Sequence, residues 1–167
     1  MNKYVKTLVE GYKKYIGIDL KVQKNPGYLC TTISKSDSEE KYNINMYRSF
    51  VGPLMWYTTK VGPDVVNTKR ALEVRLSHLG TEHWKTLGRL IWCLKGKYTK
   101  CIIIRNPKVM KVVMFCYSKY ATDKDTRKSV SGLVATLGGT LLMCLSQTYT
   151  NVTLIGTEAE YVLLSAC

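Results

Sequence analysis

The sequence predicts an α+β fold in two successive parts, a helical half over residues 1–97 and a half of strands with one helix over residues 98–167. Three observations carry this. Apolar residues recur at three- and four-residue intervals in several stretches before Gly96, the period shortens to strand-like runs from Cys101 onward, and Gly138-Gly139 separates two such runs at hairpin spacing. Helices grouped first and strands grouped afterwards indicate separate structural units, with a junction near Gly96 to Thr99.

Val5, Leu8, Val9, Tyr12 and Tyr15 share one helical face, with lysines on the other, and predict a first helix over Asn2 to Tyr15. Periodicity fades from Ile16 to about Asn45. Asn25-Pro-Gly27 reads as a turn there, and Ser34 to Glu40 is polar, so a long loop or linker is expected. Met46, Phe50, Leu54 and Thr58, flanked by Val51 and Met55, predict a second helix. A third is expected to start at Pro63, to place Val65, Leu72, Leu76 and Leu79 inward, and to stop at Gly80. Thr81 is the expected cap of a fourth helix, whose stripe of Trp84, Leu87, Leu90, Ile91 and Leu94 ends at Lys95-Gly96. Strands are expected over Cys101 to Arg105, Val109 to Tyr117, Gly132 to Leu137 and Thr140 to Ser146. A last helix begins near Thr157, with Thr157 as its cap and Glu158 in the first turn, where the dipole favours an acid.

A length of 167 residues suits one ordinary domain or two small packed units, and 46% hydrophobic content argues for a globular chain. The balance of 25 basic against 12 acidic side chains, a net +13, favours polyanionic partners. No stretch approaches the roughly 18–20 consecutive apolar residues of a membrane span, and Met1 to Tyr15 has no secretory apolar core. An intracellular protein, cytoplasmic or nuclear and without membrane contact, is therefore expected. The six cysteines, Cys30, Cys93, Cys101, Cys116, Cys144 and Cys167, show no metal-finger spacing and read as reduced packing residues.

Two segments carry a family resemblance: Phe115-Cys-Tyr-Ser-Lys-Tyr-Ala-Thr-Asp-Lys-Asp-Thr-Arg-Lys-Ser-Val-Ser-Gly132 and Gly156-Thr-Glu-Ala-Glu-Tyr161. They resemble the opening strands and first helix of the RNase H domain of copia-type retrotransposon Pol polyproteins. Tyr47-Arg-Ser-Phe-Val-Gly52, Leu54-Met55, Gly62-Pro-Asp64, His83-Trp84 and Leu94-Lys-Gly96 resemble the landmarks between polymerase palm and RNase H, in the family's order. The resemblance spans the chain and implies a thumb- and connection-like region over 1–97 and a truncated RNase H-like region over 98–167. The polymerase's paired aspartates are absent, since no Asp-Asp occurs anywhere in the chain.

RNase H chemistry uses two magnesium ions held by converging carboxylates. The resemblance implies that Glu160 is the helix carboxylate and that Tyr117 stands where the family has its first strand Asp. A phenol is neutral at pH 7 and a poor magnesium ligand, and Lys119, two residues on, would repel the metals. Asp123 and Asp125 match turn residues of the family. The chain is expected to lack the later strand and last helix that bring the remaining acids, so it is read as an inactive remnant with no metal site and no cofactor, although the family uses magnesium.

The expected residual activity is weak, non-specific binding of RNA, DNA or an RNA–DNA hybrid through basic residues, with Arg48, Lys69, Arg70, Lys95, Lys97 and Lys100 as candidates. His83-Trp84 is expected to serve packing, although an imidazole and an indole also suit phosphate contact and base stacking. Two alternatives stand beside this reading. One is a magnesium-dependent RNase H-type endonuclease completed by another chain and recruiting Glu160, Asp123 and Asp125. The other is a protein-interaction module in which an open sheet edge mediates association, including self-association.

Overall fold

The structure is a computed structural model that describes residues 2–19, 21–27, 43–74, 76, 79–100, 102–104, 106–107, 109–123 and 125–165, with Asn2 and Lys60 described by backbone alone. Most of the expected linker, residues 28–42, lies outside the described residues, as do Cys30, Cys101 and Cys167. The fold is α+β, with two units, Met1–Cys101 and Ile102–Cys167.

The first unit is helical. Helix α1, Asn2–Ile16, turns Val5, Leu8, Val9 and Tyr12 inward and leaves its lysines outside. Helix α2, Ile44–Lys60, starts where the Asn43 side-chain oxygen accepts the Met46 amide at 3.0 Å, a side-chain N-cap. Pro63–Val65 forms a 3₁₀ turn that leads into α3, Val66–Glu73, and α4 spans Thr81–Lys95. The core joins Leu54, Tyr47 and Val65 to Leu87, Leu90, Ile91 and Leu94, all but excluded from solvent. Helix α1 packs directly on α4. Gly88 allows this approach, because a Cβ there would lie 2.8 Å from the Tyr12 hydroxyl. Burial, with a smaller push from Tyr15, raises the Tyr12 phenol to about 12.

Two expectations for this unit are corrected. The third helix ends at Glu73 rather than Gly80. Leu79 reaches the core from non-helical backbone, and Gly80 is extended at φ −136°, so the leucine spacing runs past the helix that begins it. Thr81 is the first residue of α4 and not its cap. The work falls to His83, fully buried, whose Nδ1 accepts the Gly80 amide at 3.1 Å, as a Glu or Gln does in a capping box. The α2 interior also contains Pro53, which the apolar period does not reveal and which removes one helix donor.

Beyond α1, Gln23 donates its amide to the Trp92 carbonyl at 3.4 Å and Cys93 Sγ lies 3.5 Å from the Lys24 carbonyl, which ties this segment to α4. Asp19 bridges Lys13 and Lys95 at 2.7 and 2.6 Å. Hydrogen bonds from Lys13 and then Lys95 hold its carboxyl below the ordinary 3.8. A depressed folded-state value gives a contribution present above pH 3.8 and lost as pH falls below it. Asp19→Asn is thus expected to lower the melting temperature at pH 7 and to show a smaller deficit at about pH 2. Scanning calorimetry at both pH values checks this, and an equal deficit at both would remove the ion pairs from the explanation.

The second unit is a three-stranded antiparallel meander, β1 Val112–Lys119, β2 Val130–Leu137 and β3 Thr140–Thr148, in the order β1-β2-β3, followed by α5, Gly156–Ser165. Tyr117 pairs with Gly132 and Phe115 with Val134. The β2–β3 turn is Gly138-Gly139 at φ +53° and +80°, which glycine alone adopts cheaply, and a bulge lies just before it at Ala135/Thr136. Helix α5 packs on β1, burying Ala159 and Leu163 while Tyr161 and Leu164 stay exposed.

The strand expected over Cys101 to Arg105 is absent from its described residues, 102–104, and Ile104 is 82% exposed. Pro107 follows closely and has no amide to donate to a ladder. Strand β1 begins at Val112 rather than Val109, because the Lys111 amide bonds back to the Val109 carbonyl at 3.0 Å in a tight turn. Thr157 lies inside α5 and does not cap it. The Ala159 amide bonds to the Ile155 carbonyl, and Glu158 reaches back to accept the Leu154 amide at 2.6 Å. Glu158 thus fastens the helix start, as its first-turn position suggests.

Candidate functional site

Side chains alternate across a strand, so Tyr117 and Lys119 share one face of β1 and Ser118 faces the other. Ser118 is buried beneath α5: the Tyr149 hydroxyl donates to the Ala159 carbonyl at 2.6 Å and lies 3.3 Å from the Ser118 hydroxyl. Tyr117, 68% exposed, therefore projects from the face opposite the one α5 covers. Glu160 is an exposed residue of that helix. Among the described residues, no three His, Cys, Asp or Glu side chains come together around a metal-sized space. A strand that offers a phenol and an ammonium does not fit a magnesium pair.

The turn between β1 and β2 is built by its own acid. Asp123 Oδ1 accepts the amides of Asp125 and Thr126 at 3.0 and 3.3 Å, and the Asp123 carbonyl accepts the Arg127 amide at 2.8 Å. Ala121 and Arg127 take positive φ values of 46° and 56°, uncommon for residues with a Cβ. Ser129 locks this geometry. It is fully buried, its Oγ accepts the Ala121 amide at 3.0 Å, and it shares a hydrogen bond of 2.7 Å with the Thr153 hydroxyl just before α5. The Arg127-Lys128-Ser129 segment thus includes a structural fastening at its serine, and Asp123 serves the turn.

The candidate basic residues fall into two groups. Arg48 and Lys100 are exposed. The other four are engaged within the first unit: Lys95 with Asp19 at 2.6 Å, Lys69 with Glu73 at 2.7 Å, Arg70 with Asn67 at 3.2–3.3 Å, and Lys97 with Asp64. Burial is the largest single influence on the Lys97 ammonium and would lower it, but the hydrogen bond and charge of Asp64, together with Cys93, outweigh burial and the net shift is upward. The Lys95 ammonium also lies 5.0 Å from the Trp92 ring centre. Asp19 and Asp64, which govern these lysines, carry no local sequence signal for that role. Asp19 and Lys95 are 76 residues apart.

His83 and Trp84 serve packing. Beyond the buried His83, Trp84 stacks on Tyr15 at 5.5 Å and meets Tyr47 edge-on at 5.5 Å.

The chain is 30% identical over 127 residues to the retrovirus-related Pol polyprotein from transposon TNT 1-94 of Nicotiana tabacum, covering 74% of this chain and 9% of the polyprotein. It is 27% identical over 145 residues to an uncharacterized mitochondrial protein of Arabidopsis thaliana, 86% of this chain and 59% of that protein. It is 29% identical over 119 residues to secreted RxLR effector protein 161 of Plasmopara viticola, 71% and 84% of the two chains. No protein-family profile and no solved structure matches it. The chain is thus related, at low identity, to retrotransposon Pol polyproteins, and it spans only a small part of the one it matches. No helix among the described residues is long and apolar enough to cross a membrane.

Proposed function

We propose that this chain is a degenerate relative of copia-type Pol, with residues 1–97 corresponding to the thumb and connection and 98–167 to the start of the RNase H domain. In this reading it has no hydrolytic activity, needs no cofactor and keeps weak, non-specific affinity for nucleic acid in the cytoplasm or nucleus. The observation that carries the loss of catalysis is the β1 face that presents Tyr117 and Lys119 where a metal site needs acids. The net +13 charge supports the binding, with Arg48 and Lys100 exposed and Lys69, Arg70, Lys95 and Lys97 reachable at the expense of ion pairs or hydrogen bonds inside the chain. The Lys95–Asp19 pair is the more open of these and is worth only about 0–1 kcal/mol, so phosphates compete with it readily, whereas Lys69 and Lys97 are largely covered and contribute less.

Two measurements test this. Affinity for an RNA–DNA hybrid is expected to be micromolar or weaker and to fall steeply between about 50 and 200 mM salt; no binding at the lower salt would end the proposal. Magnesium-dependent cleavage of the same hybrid is expected to be absent. Cleavage abolished by Glu160→Gln would instead establish the endonuclease.

The second unit favours one further reading. Phe115 and Tyr117, on the β1 face opposite α5, are each more than half exposed, and β1 and β3 are both edge strands. An apolar surface of this kind suits a protein partner, including self-association through an edge. Concentration-dependent light scattering tests it, and a monomer at all concentrations would count against self-association.

A further inference from the structure

Among the chain's three tryptophans, Trp92 is 1% exposed and Trp84 is half-buried among tyrosines, whereas Trp56 is 46% exposed on the outer face of α2. An indole in that position leaves much of its apolar ring in water, which burial would relieve. It is also held still. The Tyr4 ring packs against it at 4.8 Å with a 52° tilt, and the Tyr4 hydroxyl donates to the Pro53 carbonyl at 3.0 Å, one turn earlier in the same helix. One turn before Trp56 lies Gly52, where an added Cβ would meet nothing within 4 Å. A helix-interior glycine is less favourable than alanine, and here no packing neighbour requires it. Its effect is to leave bare backbone beside the indole, a flat shelf that a planar ring can approach.

The surroundings select the ring's chemistry. Helix α2 contains no carboxylate, and its exposed Arg48 lies two turns before Trp56, about 12 Å along the axis. Helix α1, which supplies Tyr4, carries Lys3, Lys6, Lys13 and Lys14 against the single acid Glu10. Of these lysines Lys13 is paired with Asp19 and Lys6 lies over the Tyr98 ring, and the surface stays basic around them. A held, exposed aromatic on a basic surface is the arrangement by which single-stranded nucleic acid is held, with a base on the ring and phosphates on the cations. Resting on the nucleic-acid reading above, we infer that Trp56 is a base-stacking residue, with Gly52 as its open shelf and Arg48 as a phosphate contact. Duplex is excluded from this contact because its bases are already stacked inside.

The test compares the full chain with Trp56→Leu, Trp56→Phe and Gly52→Leu, using fluorescence anisotropy with a labelled 12-residue oligo(dT) and a duplex of equal length at low salt. Trp56→Leu keeps an apolar side chain on the surface, and circular dichroism verifies that the helices persist. The expected result is about ten-fold weaker oligo(dT) binding for Trp56→Leu and Gly52→Leu, with duplex binding unchanged within about two-fold, most of the loss recovered by Trp56→Phe, and the salt slope unaltered. Equal loss on both ligands, or none, overturns the assignment while the broader nucleic-acid reading stands. A wild-type chain that binds neither ligand removes both. A change in self-association without a change in oligo(dT) affinity assigns Trp56 to a protein contact and overturns the inference as well.

Discussion

Leu90→Ala is expected to destabilise the helical unit by about 3 kcal/mol. Leu90 is fully buried at the middle of α4, between Leu87, Ile91 and Leu94, which are buried to the same degree. Removing its three outer carbons forfeits their transfer out of water and leaves a cavity that these neighbours fill poorly, since α1 is held against α4 by the close Tyr12–Gly88 approach. Alanine's better helix propensity returns only a few tenths of a kcal/mol. Urea unfolding followed by tryptophan fluorescence measures the loss, because Trp92 reports from the same core. A loss below about 1 kcal/mol would mean that this core is looser than its burial indicates.

Ser129→Ala is expected to cost about 2 kcal/mol in the second unit. The substitution removes the acceptor of the Ala121 amide and the hydroxyl partner of Thr153, both in the Ser129 fastening, and leaves each to find water in a tight site. The strain at Ala121, with φ at 46°, is then no longer opposed by a hydrogen bond at that residue's own amide. Thr153→Val in the same chain is expected to add less than its separate cost, because the two hydroxyls act as one pair. Hydrogen exchange at the Ala121 amide gives a local readout. Additive effects of the two substitutions would show that the hydroxyls do not depend on each other.

What was legible in the sequence follows the range of the forces involved. Helices α1 and α4 and the Gly138-Gly139 hairpin were readable because an apolar period or a positive-φ turn is written in neighbouring residues. The end of α3 is not, because Leu79 satisfies the same spacing from non-helical backbone. Caps were half legible: Glu158 sat where an acid is wanted, but histidine at position 83 does the work usually given to Glu or Gln, while both threonines that look like caps lie inside their helices. For the candidate site, the odd chemistry of β1 was visible at Tyr117 and Lys119. The pairing of Lys95 with Asp19 and of Lys97 with Asp64 was not, because those contacts are set by packing across the unit. Trp56 carries no signal for a different reason, since an apolar residue beside an apolar stripe has the pattern of core, and only its 46% exposure sets it apart.

The meander has a kinetic consequence. Every ladder in the sheet joins strands adjacent in sequence, through a two-glycine turn on one side and the Asp123–Ser129 turn on the other. Pairings this local carry a small loop-closure penalty, and hairpins of this kind close in roughly 1–10 μs. The β2–β3 hairpin is thus expected to form first and β1 to add to it, with α5 docking afterwards through Tyr149 and Thr153. The sheet can nucleate before that helix is in place.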